Sequence, residues 1–296
     1  MQVGIQLPEI ERVVPWPEYR DMAVAAEELG YASLWVGDHL LYDKPEGSKG
    51  PWECWSLLAA LAAVTQRVLL GPLVTPTGFR NPALLAKMAG TVDEISDGRL
   101  VLGLGSGWNR REYDAFGFPY DKRVSRFEEA YAIIVSLIRT GHADFSGTYH
   151  SNETNSLIPP PRPGMPIMIG STGPRMLGIG APHMDWWNEW WNRFGNTVEG
   201  LRPLTERVDA AVTAAGRDPG EITKSVALHV ALPGGGGRLM GANVDSSPIT
   251  GNTDEMTEVI LRFAELVDHV QLVVDPITIE SIETLAPVVS AIHAAA

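Results

Sequence analysis

The chain has a single cysteine, Cys54, which excludes an intrachain disulfide and any multi-cysteine metal site. Its seven histidines, at positions 39, 142, 150, 183, 229, 269 and 293, include no H-x-H pair and no H-E-x-x-H segment. A clustered zinc site is therefore not expected, and no metal site is assigned. A G-x-S-x-G nucleophile elbow is also missing. Gly103, Gly105 and Gly107 alternate, but they do not spell G-x-G-x-x-G before a helix with an acidic partner, which argues against a Rossmann nicotinamide site. Positive charge is scarce: Lys and Arg number 23 against 36 Asp and Glu, a formal net charge of −13. Such a surface repels phosphate backbones, so nucleic acid is not an expected partner. No apolar run reaches the ~20 residues of a membrane helix. The first apolar run also begins at once, without a charged, cleavable leader. A soluble, cytoplasmic chain with no membrane partner is the expectation.

Hydrophobic residues make up 45% of the 296 positions, enough for a large core, and charged residues make up 20%, too few for disorder. Eight short apolar runs read as strands, at 3–7, 33–36, 68–71, 100–104, 166–169, 184–187, 225–232 and 269–274. Helical spacing fills the intervals at 16–29, 51–65, 81–95, 124–140, 197–215, 253–266 and 277–293. Pro17 suits a first helical turn and Gly30 a C-terminal cap. Strands alternating with helices imply a parallel sheet with right-handed crossovers. Eight such units, with polar or glycine-rich clusters after the strands, favour closure into a (β/α)8 TIM barrel whose clusters converge on one face. The expectation is one barrel domain over residues 1–296. It carries an insertion at about 141–165, with a short hairpin and a stiff proline-rich connector, and a loop at 233–252 that is either a lid or passive.

The clusters carry the candidate chemistry. Asp38 and His39 follow the second strand, and a histidine there suits proton transfer or stabilisation of charge on a reduced cofactor; the bland alternative is a helix-capping Asp beside a packed His. Pro72-Leu73-Val74-Thr75-Pro76-Thr77 is stiff enough to be a ledge under a flat ring, or only a rigid turn. The alternating glycines 103, 105 and 107 let a ligand or Trp108 approach the backbone. Gly170-Ser171-Thr172-Gly173, ahead of Pro174-Arg175, reads as a phosphate-binding helix start or as a plain cap. Trp186, Trp187, Trp190 and Trp191 either line a pocket for a planar ligand or bury an interface.

In these segments the chain resembles the bacterial luciferase-like superfamily of flavin and deazaflavin enzymes. The resemblance runs in order through Val3–Pro8, Leu34–Leu40, Leu70–Thr77 with Phe79-Arg80-Asn81-Pro82, and Asp97–Trp108. It continues through Glu112, Phe116-Gly117, Pro166–Arg175 and Asp185–Asn188, about two-thirds of the chain in all. It implies a (β/α)8 barrel, often a homodimer, that acts on a small-molecule substrate. The Asp-His pair and the Thr-Pro-Thr ledge look like the branch that uses coenzyme F420, an 8-hydroxy-5-deazaflavin. By that likeness Asp38 and His39 lie at the deazaflavin and His39 acts in catalysis. Leu73, Val74 and Thr75 support the ring, with a non-prolyl cis peptide expected before Leu73. Gly170, Ser171, Thr172 and Gly173 would hold the cofactor phosphate, and Arg80, Arg110, Arg111 or Arg175 would neutralise its acidic tail. Trp108 stands where the sugar-phosphate dehydrogenases of that branch carry a catalytic acid, which argues against a sugar phosphate and leaves His39 as the evident proton carrier. Glu112, one turn on, is a secondary candidate. Trp108, Trp187 and His229 are the expected substrate-pocket residues. The rival readings are an FMN-dependent monooxygenase of the same superfamily and a non-catalytic cofactor-binding protein.

Overall fold

The computed structural model describes residues 1–45, 47–235 and 246–295. Eight parallel strands form the frame: β1 (Gln2–Gln6), β2 (Ser33–Val36), β3 (Leu69–Pro72), β4 (Leu102–Gly105), β5 (Ile167–Gly170), β6 (Trp186–Trp190), β7 (Thr223–Ala231) and β8 (His269–Asp275). Their order around the sheet is β3-β2-β1-β8-β7-β6-β5-β4, with the two-residue strand Thr75–Pro76 beyond β4. A parallel bridge between Leu70 and Leu100 brings β3 back against the approach to β4, so the sheet closes into a barrel. The expected TIM barrel is therefore the observed fold.

The surrounding helices are α1 (Trp16–Glu28), α2 (Cys54–Val64), α3 (Pro82–Ser96), α4 (Arg110–Phe116), α5 (Arg123–Thr140), α6 (Pro174–Gly180), α7 (Val198–Ala214), α8 (Thr253–Leu261) and α9 (Ile279–Ala294). Local chemistry sets their ends. Asn81 caps α3 by accepting from the amides of Ala83 and Leu84, Pro82 occupies the first turn, and Asp97 leaves the helix in the left-handed conformation. α2 begins at Cys54, later than expected, because the Glu53 carboxylate takes the amides of Trp55 and Ser56. One buried cluster joins strand residues such as Val3, Ile5, Leu34, Ile169 and Leu272 to helix residues such as Met22, Leu58, Leu85, Ile134 and Val289. Each such side chain contributes roughly 1.5–3 kcal/mol by leaving water.

The barrel is plugged near its N-terminal end. Trp35 Nε1 donates to Ser33 Oγ at 2.6 Å, and Ser33 Oγ meets His269 Nε2 at 2.8 Å. Trp186 packs on both rings, with centroids 6.3 Å from Trp35 and 5.3 Å from His269. Glycine makes the room: a Cβ on Gly4 would lie 1.9 Å from Ser33 Oγ, and one on Gly71 would lie 2.6 Å from the Trp35 ring. Burial pushes the His269 pKa down to about 3, so this ring is neutral. A cleft of about 620 Å³ opens below the plug, lined by Tyr31, Arg67, Trp186 and His269, at the end of the barrel away from the strand-end clusters.

Several boundaries differ from expectation. β6 runs to Trp190 rather than stopping at Trp187, and β4 starts at Leu102 rather than Leu100. The insertion holds the expected hairpin, His142–Ser146 against Ser151–Ser156. A second hairpin, Tyr42–Lys44 against Gly47–Lys49, was not expected. Residues 236–245 of the expected lid segment lie outside the described residues; beyond them Ile249 bridges to Val230 on β7. No helix among the described residues is long and apolar enough to cross a membrane.

Candidate active site

The C-terminal end of β2 passes through Gly37 into Asp38 and His39, and the two side chains part company there. The His39 Nδ1 lies 3.0 Å from both Glu112 carboxylate oxygens. Glu112 also accepts from the amides of Leu40 at 2.6 Å and Leu41 at 3.3 Å. An ionised carboxylate only accepts hydrogen bonds, so the proton on His39 is fixed at Nδ1 and Nε2 is left for chemistry. Helix α4 delivers Glu112 in its first turn, with Asn109 as the cap, and the Asn109 amide anchors the helix to the Leu41 carbonyl at 3.0 Å. The Glu112 side chain is 1% exposed and that of His39 is 14% exposed, so the ring retains an open edge over a buried base.

A second carboxylate stands close by. Tyr42 donates its hydroxyl to Glu9 Oε1 at 2.7 Å, and Gln6 Nε2 donates to Glu9 Oε2 at 3.0 Å. The carboxylate occupies the space above Gly37, where a Cβ would lie 2.3 Å from Glu9 Oε2. The Tyr42 ring is 4.8 Å from the His39 ring, and Trp108, about half exposed, is 5.6 Å from it. Burial of His39 opposes its charged form, but the hydrogen bond to Glu112 and the charges of Glu9, Glu112 and Asp38 outweigh it. The His39 pKa is raised.

Asp38 turns the other way and is fully buried. Arg80 grips it through two hydrogen bonds, at 2.7 and 3.0 Å, and also reaches Glu53 at 2.7 Å. Burial raises the Asp38 pKa despite the opposing charge and hydrogen bond of Arg80 and a hydrogen bond from Thr75. The partner that orients the imidazole is thus Glu112, while Asp38, expected beside His39 at the cofactor, is held by Arg80.

Of the ledge residues, Leu73 and Thr75 are buried and Val74 keeps part of its surface. Thr75 Oγ1 accepts from Trp55 Nε1 at 3.2 Å. The non-prolyl cis peptide is Leu73–Val74, one bond later than expected. The alternating glycines serve this loop: a Cβ on Gly105 or Gly170 would lie 2.9 Å from a Val74 methyl, and one on Gly103 would lie 2.2 Å from the Pro72 carbonyl oxygen. Val74 therefore projects over three positions stripped of side chains. Because a backbone oxygen cannot swing aside, Gly103→Ala is expected to destabilise the protein by about 1–3 kcal/mol. Gly105→Ala meets only a side-chain methyl and is expected to cost less. Urea denaturation of the two variants checks the ranking.

Across the mouth, β5 leads into Gly170–Gly173. Ser171 Oγ accepts from the Gly173 amide at 3.2 Å, and the Ser171 carbonyl accepts from Trp187 Nε1 at 2.9 Å. Trp187 is fully buried, so it packs in the core and offers no surface to a substrate. His229 is also buried, stacked on Trp191 at 4.8 Å. Trp108 alone of the three expected pocket residues stands open beside His39. Each arginine expected to meet an acidic tail is engaged elsewhere: Arg80 with Asp38, Arg110 with Asp114, Arg111 with Asp43 and Arg175 with Glu128. Among the described residues no group of three or more His, Cys, Asp or Glu is placed to hold a metal ion.

Sequence reading ranked Glu112 second and passed over Glu9. Asn109-Arg110-Arg111-Glu112 has the spacing of a capping box, which gives Glu112 a bland explanation, yet its carboxylate goes to His39. Glu9 follows β1, and the rule that strand ends hold the chemistry would have found it.

Residues 2–233 match the model of the luciferase-like monooxygenase family. Among curated proteins, the chain is 35% identical over 159 residues to an F420-dependent glucose-6-phosphate dehydrogenase of Amycolatopsis mediterranei, covering 52% of this chain and 47% of that protein. It is 34% identical over 171 residues to the pyrimidine monooxygenase RutA of Methylorubrum populi, covering 56% and 45%. The chain thus spans about half the length of these curated relatives. Among solved structures, an F420-dependent secondary alcohol dehydrogenase bound to an F420-acetone adduct superposes with a TM-score of 0.81 at 18% identity, covering 98% of each chain. That likeness is one of fold.

Proposed function

The chain belongs to the luciferase-like monooxygenase family, and we propose that within it this protein is an oxidoreductase that uses coenzyme F420 on a small organic substrate. The observation that carries the reading is the His39–Glu112 pair at the barrel mouth, with the imidazole partly exposed and its pKa raised. A bound deazaflavin would supply or accept a hydride. Hydride transfer to a carbonyl also needs a proton on oxygen, and His39 Nε2 is placed to give it; alcohol oxidation would return the proton to the same atom. Glu112 holds the ring in that tautomer and stabilises its charged form. The residues fit a flat cofactor: the Val74 ledge lies over a floor of Gly103, Gly105 and Gly170. Trp108 and Tyr42 give the substrate an apolar, aromatic wall. The same reading includes a homodimer in the cytoplasm.

The pH dependence has a definite sign. Reduction of a carbonyl needs the imidazolium, so its rate is expected to fall as pH rises through the His39 pKa, which lies above the ordinary 6.5. Alcohol oxidation needs the neutral ring and is expected to rise through the same pKa. Glu112→Gln removes the stabilising charge and should move both midpoints to lower pH. The raised pKa also gives stability that is complete below the unfolded pKa and lost as pH rises through the folded one. Steady-state rates with F420 across a panel of alcohols and ketones test the reading, and a flat pH profile would remove His39 as the proton carrier.

A second reading, an FMN-dependent monooxygenase, is supported by the similarity to the pyrimidine monooxygenase, nearly equal to that of the F420-dependent relative. Oxygen consumption with reduced FMN is the result that would favour it.

A further inference from the structure

In a chain of net charge −13, a cation without a carboxylate partner stands out. Most of the described arginines are paired, including those expected to meet the cofactor tail. Arg202 pairs with Glu265 and Arg262 with Glu199. Arg99 is spent on the carbonyls of Ala62, Thr65 and Val68, and Arg123 is pinned between the Gly107 carbonyl and the Tyr120 ring. Arg67 belongs to the cleft at the other end of the barrel. Two exposed arginines remain, Arg193 and Arg207, and neither forms an ion pair among the described residues.

These two share one place. Arg207, on α7, donates to the Thr172 carbonyl at 3.3 Å, so its guanidinium lies against the Gly170–Gly173 loop. Arg193 lies in the turn just after β6, and the charges of both arginines act on the buried carboxylate of Glu189. Glu189 accepts from the Trp190 amide at 3.0 Å and from the Thr172 side chain. Burial pushes its pKa up against these hydrogen bonds and the two arginine charges. The loop by itself is a weak anion site. The Gly173 amide already donates to Ser171 Oγ, the Thr172 hydroxyl is committed to Glu189, and α6 is a short helix of seven residues. Binding of a multiply charged anion at this edge therefore needs the two guanidiniums.

We propose that Arg193 and Arg207 form an anion-binding edge beside Thr172 that takes a phosphate-bearing, polyanionic tail and so selects a long-tailed cofactor over a short one. The proposal rests on the deazaflavin reading for the identity of that tail, but the edge is testable without it. Guanidinium–phosphate pairs are charge-assisted and bidentate, and they replace exposed, hydrated cations without breaking any existing ion pair.

Tripolyphosphate is the first probe. It is expected to raise the melting temperature of the wild-type protein in low salt, an effect lost in Arg193→Ala/Arg207→Ala. Both positions are exposed, so circular dichroism should show the double variant folded. Binding of F420 and of its tail-free deazaflavin core is then compared. The double variant should lose about tenfold or more in F420 affinity, with a weaker salt dependence, while the tail-free core binds as before. A tripolyphosphate response that persists in the double variant, or none in the wild type, overturns the proposal. So does an unchanged F420 affinity when the core still binds. If the tripolyphosphate response depends on the two arginines but neither deazaflavin binds, the anion-binding edge stands and the cofactor reading falls.

Discussion

His39→Ala is expected to lower turnover by about 10²–10⁴-fold while leaving cofactor affinity nearly unchanged, since general acid–base catalysis is worth that much and the ring contributes little to burying a flat ligand. The expectation follows from how the ring is held. Two carboxylate oxygens at 3.0 Å fix Nδ1, and the same carboxylate is locked by the amides of Leu40 and Leu41. In the proposed reading, a ring oriented this firmly, with its pKa raised, donates its proton from Nε2. His39→Gln is the useful companion, since it keeps a polar side chain but cannot carry a proton at neutral pH. Measured kcat and the dissociation constant for the cofactor separate the roles. A variant that loses affinity in step with turnover would make His39 a binding residue only.

Arg80→Met is expected to destabilise the fold by about 3–5 kcal/mol, the range for removing one partner of a buried ion pair. Asp38 is fully buried and Arg80 holds both of its oxygens, so the substitution leaves a buried carboxylate without its counter-charge. The sign with pH follows from the raised Asp38 pKa. The folded state favours the protonated acid, so the loss is greatest at neutral pH and shrinks as pH falls through that pKa. Arg80→Met/Asp38→Asn should recover much of the stability, because no charge is then stranded. Urea unfolding at two pH values reads both effects. A loss below 1 kcal/mol at neutral pH would show that water reaches Asp38 in place of the arginine.

The barrel was legible because strands buried on both faces appear as short, unbroken apolar runs, and eight of them alternate with amphipathic helices. Boundaries failed where the barrel interior is polar. Asn188 reads as a strand end, yet it lies inside β6, donating to Ser225 Oγ at 3.1 Å and Gln271 Oε1 at 2.8 Å. The hairpin at Tyr42–Lys49 has two three-residue strands of mixed polarity, too short for any period to show. At the site, Asp38 and His39 were found from their place after β2, but their partners were not. Glu112 lies 73 positions from His39 and Arg80 lies 42 from Asp38, and no local spacing encodes either pairing. Only the closure of the barrel brings them together. Trp187 illustrates the opposite error: its position in a tryptophan-rich segment suggested a pocket, but its side chain packs in the core.

A parallel titration of the protein with F420 and with FMN, followed by tryptophan fluorescence, tests the central claim most directly. Trp108 is half exposed and 5.6 Å from the His39 ring, so it should report a ligand in the mouth. The account predicts F420 binding on the order of micromolar or tighter and FMN much weaker. Tighter binding of FMN would contradict it and point to a flavin monooxygenase, and binding of neither would leave the barrel without the cofactor chemistry assigned to its mouth.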